Sequence, residues 1–381
     1  MVLRKGKIVL RRLFLGLVLG ITLVSCKQNP IFFSISQEVE PRDPRINGMP
    51  TAIVQVGATL YVASRFSETI HQYGNGRWSS IPRQPGGKIL ELAAAGNHLY
   101  ALAGDPGSQG LRKLNMNNGG TWETVETGNA DVQSIYGAGD YVFAGIMTDT
   151  GKSSDGTSVN GFEIWYTRED TAILRRLKER TAFLTGAVHD GTTYYLAVGT
   201  NEIDITSEPG GGIYTFNGTG VTMSPAAGSE KLNMVGIIMV KDIVVGITRG
   251  GGIVYGKDGN FEVSSHSITF TGALGLWEKE GRHLLLLGIQ GGSSSTVHGY
   301  REVKLRPDGT LDSGALGLQI PGEDPEHSSV TNNNKYNSTI RRHPVMGFLQ
   351  APDTVLFAAT VKNGLWSYRE RDGEDVWNAE D

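Results

Sequence analysis

The chain has 381 residues, 35 basic and 39 acidic, for a net charge of −4. Five of those basic residues (Arg4, Lys5, Lys7, Arg11, Arg12) fall in the first 25 positions, which hold no Asp or Glu; setting them aside leaves 30 basic against 39 acidic residues, a net −9. A mildly acidic chain without a basic stripe excludes nucleic acid as the expected partner, because neutralising phosphate dominates that kind of binding. Glycine, 52 of 381 residues, is roughly twice its usual share and falls between short apolar runs, the pattern of many strands joined by tight turns.

The first 25 residues have the three parts of an export signal: a basic region from Met1 to Arg12, an apolar run from Leu13 to Val24, and a short box before Cys26. Twelve apolar residues make about 18 Å of helix, too short for the ~30 Å hydrocarbon core of a membrane. The box itself, Leu23-Val24-Ser25-Cys26, resembles the lipobox of bacterial lipoproteins. That resemblance implies cleavage between Ser25 and Cys26, diacylglycerol on the Cys26 sulfur, and a further acyl chain such as palmitate on the new N-terminus. Two or three acyl chains suffice for stable membrane anchoring, where one gives only marginal binding. Cys26 is the only cysteine, so no disulfide within the chain is expected. The expected location is a bacterial cell envelope.

Residues 26–50, with Pro30, Pro41 and Pro44, are expected to form a lipid-anchored tether leading into the folded domain, which is expected to span residues 51–381. From Thr51 onward one strongly apolar segment recurs seven times: Thr59-Phe66, His98-Asp105, Tyr141-Thr148, Thr193-Thr200, Asp242-Arg249, His283-Gln290 and Thr354-Val361. A smaller Gly- and Ala-rich segment precedes it, as in Ala52-Gly57, Leu90-Gly96, Val132-Gly139 and Val235-Lys241. A strand often opened by glycine follows, as in Gly161-Arg168, Gly211-Gly218, Gly251-Asp258 and Gly364-Arg371. A polar turn and a fourth strand close most repeats, with turns such as Asn75-Gly76 and Asp258-Gly259 that favour tight hairpins.

Four strands repeated seven times at roughly 40 to 50 residues predict an all-β, seven-bladed β-propeller of four-stranded antiparallel blades. The innermost strand lies at a crowded axis and needs small residues such as Ala93-Ala94-Ala95. The second strand is covered on both faces by neighbouring blades, so it reads as a continuous apolar run. Trp78, Trp122 and Trp377 recur at one outer position, which assigns them to packing between blades.

Three stretches depart from the repeat: Asp149 to Asn160, Asn201 to Pro209, and a long polar segment between Leu311 and Val345. Insertions of this size in a compact repeat fold serve as binding loops or irregular excursions. The last one, with His327, Asn332, Asn333, Asn334 and Tyr336, is the expected contact surface for a protein or glycan partner.

Chemical motifs are sparse. The turn from Asn115 to Trp122 resembles the Asp-box of sialidase-like propellers: Gly119, Thr121 and Trp122 match, while Asn115 and Asn117 replace its Ser and Asp. That box is a structural hairpin in its family. A sialidase-like glycan-active enzyme also needs three arginines and a tyrosine–carboxylate pair at one mouth of the channel, and the arginines here (Arg65, Arg249, Arg341, Arg342 among them) are scattered. The eight histidines lack metal-ligand spacing, and no nucleophile elbow is present. No metal, cofactor or catalytic residue is therefore expected. The sequence predicts a membrane-anchored, non-catalytic binding module; a glycan-active enzyme and a structural subunit of an envelope assembly are the alternatives.

Overall fold

A computed structural model describes residues 46–380, apart from residues 106–107, 118, 153–157, 182, 200–210, 219–222, 268–270, 280–281, 290–298, 307, 311–339, 341–342, 362 and 372–373. Cys26 and residues 27–45 of the expected tether lie outside the described residues, as does the polar segment around His327, Asn332, Asn333, Asn334 and Tyr336.

The described chain is a run of antiparallel β-sheets, each made from consecutive strands. The first blade holds β1 (Pro50–Val56), β2 (Thr59–Ser64), β3 (Ile70–Gly74) and β4 (Arg77–Ser80). The second holds β5 (Ile89–Ala95), β6 (His98–Ala103), β7 (Gly110–Asn115) and β8 (Glu123–Val125). In the third are β9 (Asp131–Ala138), β10 (Tyr141–Lys152), β11 (Ser158–Arg168) and β12 (Arg175–Thr181). The fourth consists of β13 (Phe183–His189), β14 (Tyr194–Gly199), β15 (Gly212–Phe216) and a two-residue β16 (Ser224–Pro225). Next come β17 (Met234–Val240), β18 (Ile243–Thr248), β19 (Gly252–Lys257) and β20 (Asn260–Ser267). The sixth blade shows three strands among the described residues, β21 (Thr271–Lys279), β22 (Arg282–Ile289) and β23 (Gly299–Lys304). The seventh is β24 (Val345–Gln350), β25 (Leu356–Thr360), β26 (Leu365–Arg371) and β27 (Glu374–Ala379).

The fold is the expected seven-bladed β-propeller. The seven apolar runs are the second strands β2, β6, β10, β14, β18, β22 and β25, and each is almost wholly buried because both of its faces meet a neighbouring blade. Burial is organised between blades rather than within them. Seven apolar clusters each draw side chains from two adjacent blades, so every sheet depends on both neighbours for cover.

The seventh cluster closes the circle. Phe357 and Leu365 of the last blade pack with Leu60, Val62, Tyr73 and Trp78 of the first, and Ile46 seals them with 2% of its surface exposed. Backbone bonds pin the same junction: Leu365 N–H donates to the Ile46 carbonyl and Gly364 N–H to the Gly48 carbonyl. No strand is exchanged between the two chain ends, because β1 to β4 and β24 to β27 each complete their own sheet. Ile46 to Met49, ahead of β1, thus belong to the ring.

Tryptophans fill the packing role expected of them. Trp78, Trp277, Trp366 and Trp377 are buried, and Trp377 donates from its indole N–H to the Tyr300 hydroxyl. Trp122 is less buried; it sits just before β8 and donates to the Arg83 carbonyl.

The two faces of the disc differ. First strands begin on one face and end on the other, so the turns joining first to second and third to fourth strands share one face. Some of these turns are two residues long, with positive φ at both residues of Asn75-Gly76 and Asp258-Gly259, the geometry of a type I′ hairpin; others, such as 116–122 and 169–174, are longer. We call this the turn face. The opposite face carries every connection between second and third strands, and we call it the insertion face.

Candidate functional site

The innermost strands β1, β5, β9, β13, β17, β21 and β24 surround an axial channel of about 550 Å³. Their outer edges are unpaired, so backbone N–H and C=O groups of all seven blades face this space. A cavity of this size suits a small ligand or one inserted side chain.

Every one of the seven strands carries a β-bulge near its start. The ladder skips Thr51, Leu90, Gln133, Thr185, Val235, Gly272 and Met346 in the successive blades. A bulge bends the strand and sharpens its local twist, here at the end nearest the insertion face. The residue following each bulge rejoins the ladder at one equivalent position near the start of its strand. Those residues are Ala52, Glu91, Ser134, Gly186, Gly236, Ala273 and Gly347. Six are small, and the reason is visible at Gly186, where a Cβ would stand 2.8 Å from the Ile237 side chain. Glu91 is the exception.

Protein surrounds the Glu91 carboxylate, although the channel leaves it within reach of water. One oxygen, Oε2, accepts the Ile135 N–H at 2.9 Å. Burial raises its pKa most, the Ile135 bond and the charge of Arg65 pull it back, and the balance stands at about 7 against an ordinary 4.5. Tyr136, one blade on, lines the same channel, and burial followed by the charge of Glu91 pushes its phenol well above the usual range.

At the insertion-face rim, Phe66 adopts a φ of 66°, a left-handed conformation that a bulky aromatic rarely takes. Its backbone is held there, with Phe66 N–H bonded to the Ile89 carbonyl and Ile89 N–H to the Ser67 carbonyl. The ring is 51% exposed, and the Arg65 guanidinium lies 5.2 Å from its centroid. Strain of this kind concentrates where a surface is held ready for use.

Two of the expected insertions, 149–160 and 201–209, leave and rejoin the described strands on the same face. Within residues 149–160 the structure finds strand rather than loop: β10 and β11 continue their ladder through Asp149↔Asn160 and Lys152↔Ser158, so this hairpin stands proud of the disc. Residues 200–210, bounded by Gly199 and Gly212, and residues 290–298, bounded by Ile289 and Gly299, also connect second to third strands on this face. Residues 311–339 follow the turn-face residue Thr310 and precede Ile340, beside the start of β24 on the insertion face.

The features of a sialidase-like site come together only in part. Glu91 and Tyr136 share the channel, but no arginine is among the described residues that line it. Arg65 and Arg249 are exposed, and Arg341 and Arg342 lie outside the described residues. The raised phenol of Tyr136 runs opposite to what a nucleophile requires. The Asn115 to Trp122 turn is a structural hairpin, in which Asn115 Oδ1 accepts the Asn117 N–H. Among the described residues no three His, Cys, Asp or Glu side chains converge as a metal site. His98 and His283 sit on the turn face, facing Glu169 at 3.5 Å and Glu278 at 2.7 Å.

Sequence reasoning passed over Glu91 and Phe66. Glu91 carried one available signal, a charged residue inside the Leu90-Gly96 segment read as an innermost strand.

The class is therefore fixed: a seven-bladed β-propeller with an axial channel lined by its innermost strands. No family model matches the chain. An uncharacterized lipoprotein of Treponema pallidum (strain Nichols) is 31% identical over 86 residues, a match spanning 22% of each chain. Among solved structures the chain is similar to an ancestral GH74 enzyme (TM-score 0.56, 13% identity, 89% of this chain and 47% of that one). It is also similar to a streptogramin B lyase (0.54, 13%, 86% and 96%) and to the WD40 propeller domain of Doa1 (0.51, 10%, 87% and 96%). At these identities the likeness shows the fold alone.

Proposed function

We propose that this chain is a lipid-anchored envelope protein whose propeller is a non-catalytic binding module, presenting its insertion face to a protein or glycan partner. The observation that carries the reading is the asymmetry of the disc. The turn face carries the two-residue type I′ hairpins at Asn75-Gly76 and Asp258-Gly259, while the β10–β11 hairpin, whose ladder runs on to Lys152↔Ser158, and the strained, exposed Phe66 stand on the other. Aromatic side chains held rigidly at a rim are the usual anchors of binding surfaces. The anchor rests on the lipobox Leu23-Val24-Ser25-Cys26 and on the partial likeness to a Treponema lipoprotein.

Each half of the reading has its own test. Cys26→Ser is expected to abolish incorporation of labelled palmitate and to release the chain from the membrane fraction; retention of both would remove the anchor. For the face, a photo-crosslinking amino acid at Phe66 is expected to capture a partner in cells, while the same group at exposed Thr192 on the turn face is not. Capture from Thr192 alone would reverse the assignment.

A further inference from the structure

We propose that the channel mouth is a binding site for a protonated amine, with the Glu91 carboxylate as its counter-ion. The site stands independently of the partner reading above, since the amine can arrive on a free small molecule or on a lysine side chain of a bound protein.

The argument starts from register. Seven residues occupy one ring position after the bulges, and six of them are Gly, Ala or Ser; at Gly186 the next blade stands close, an added Cβ meeting the Ile237 side chain at 2.8 Å. Packing at the seventh position asks for nothing larger. A carboxylate taken even partly out of water is unfavourable unless it is paired or bonded, and Glu91 is only partly exposed. Its bonding is also incomplete: the Ile135 N–H satisfies Oε2, and no donor to Oε1 is found among the described residues. No lysine or arginine lines the channel to complete an ion pair from within.

The surroundings match what an ammonium group needs. An –NH₃⁺ carries three donors and no acceptor. Glu91 supplies an anionic acceptor, and the unpaired edges of β1, β5 and β9 supply backbone carbonyls. The Tyr136 hydroxyl lines the same space, and the apolar remainder (Ile53, Val54, Leu92 among it) suits an alkyl stem. A site of this shape favours an alkylammonium over a bare metal ion, because it offers one carboxylate and an apolar wall in place of several oxygens. Glu91 stands near the start of β5, which places the ligand towards the insertion-face end of the channel.

The test titrates the full chain, in detergent, with two probes: n-hexylamine as a free amine and acetyl-Gly-Lys-Gly-amide as a lysine side chain. Binding is read by calorimetry between about pH 5.5 and 8. At least one probe is expected to bind, with affinity falling about tenfold per pH unit below about 7, because the carboxyl must lose its proton to hold the amine. Binding of n-hexylamine alone identifies a small-molecule site, and binding of the peptide identifies a lysine-reading site; either supports the proposal. Glu91→Gln keeps an acceptor for the Ile135 N–H and is expected to weaken binding by at least about tenfold and to flatten its pH dependence. Glu91→Asp, which keeps the charge, is expected to retain part of the affinity and the pH profile, and it serves as the working variant where Gln does not fold. Failure of both probes to bind the wild-type chain overturns the proposal, as does unchanged binding in Glu91→Gln.

Discussion

Gly137 gives the sharpest test of how closely the innermost strands approach. It lies in β9, where an added Cβ would stand 1.7 Å from the Ala94 carbonyl oxygen, 2.6 Å from the Ala94 carbonyl carbon and 2.9 Å from the Ala94 nitrogen. All three atoms are backbone of β5, so no side-chain rotation relieves the clash. Restoring contact requires the two strands to part by about 1.3 Å or more, within a packed layer that includes Ala93, Ile135, Val142 and Tyr100. Gly137→Ala is therefore expected to destabilise the propeller by about 3 kcal/mol. For a domain of some 335 residues the unfolding entropy is about 0.7 kcal/mol/K, so the melting temperature is expected to fall by about 4 °C. The control is Gly74→Ala in β3, where nothing lies within 4 Å of the added Cβ and the change is expected to stay within about 0.5 kcal/mol. Denaturant unfolding followed by far-UV circular dichroism measures both. A loss below about 1 kcal/mol for Gly137→Ala, with an unchanged denaturant slope, would refute the close approach of β5 and β9 on which the crowded axis depends.

Two titrating groups give further predictions. Glu91 binds its proton more tightly folded than unfolded, so stability is expected to fall as pH rises from about 4.5 to about 7, by about 1–3 kcal/mol; Glu91→Gln is expected to remove that slope in melts across the range. Asp190 behaves oppositely. Burial raises its pKa, but the N–H groups of Thr193 and Thr192 and the hydroxyls of Thr192 and Tyr195 outweigh it, at 2.8–2.9 Å, and hold the carboxyl at about 2. Its contribution is present above the ordinary value of 3.8 and lost as pH falls through about 2. Asp190→Ala is expected to lower stability by about 1–2 kcal/mol at neutral pH, with the difference from wild type vanishing near pH 2.

The sequence by itself determined the blades. Seven apolar runs are legible as second strands because each is buried on both faces, so local composition reports the environment directly, as in Tyr194-Tyr195-Leu196-Ala197-Val198. The hairpins at Asn75-Gly76 and Asp258-Gly259 are legible too, because their left-handed φ angles restrict residue choice locally. Tertiary structure alone decided how the ring closes through Ile46, Gly48, Gly364 and Leu365, since those partners lie some three hundred residues apart in sequence. It alone set the seven bulges, which are ladder skips between strands and leave no fixed residue signature. Glu91 is the consequence of both: its identity is written in the chain, but its isolation in a ring of small residues exists only once seven separate strands meet at one axis.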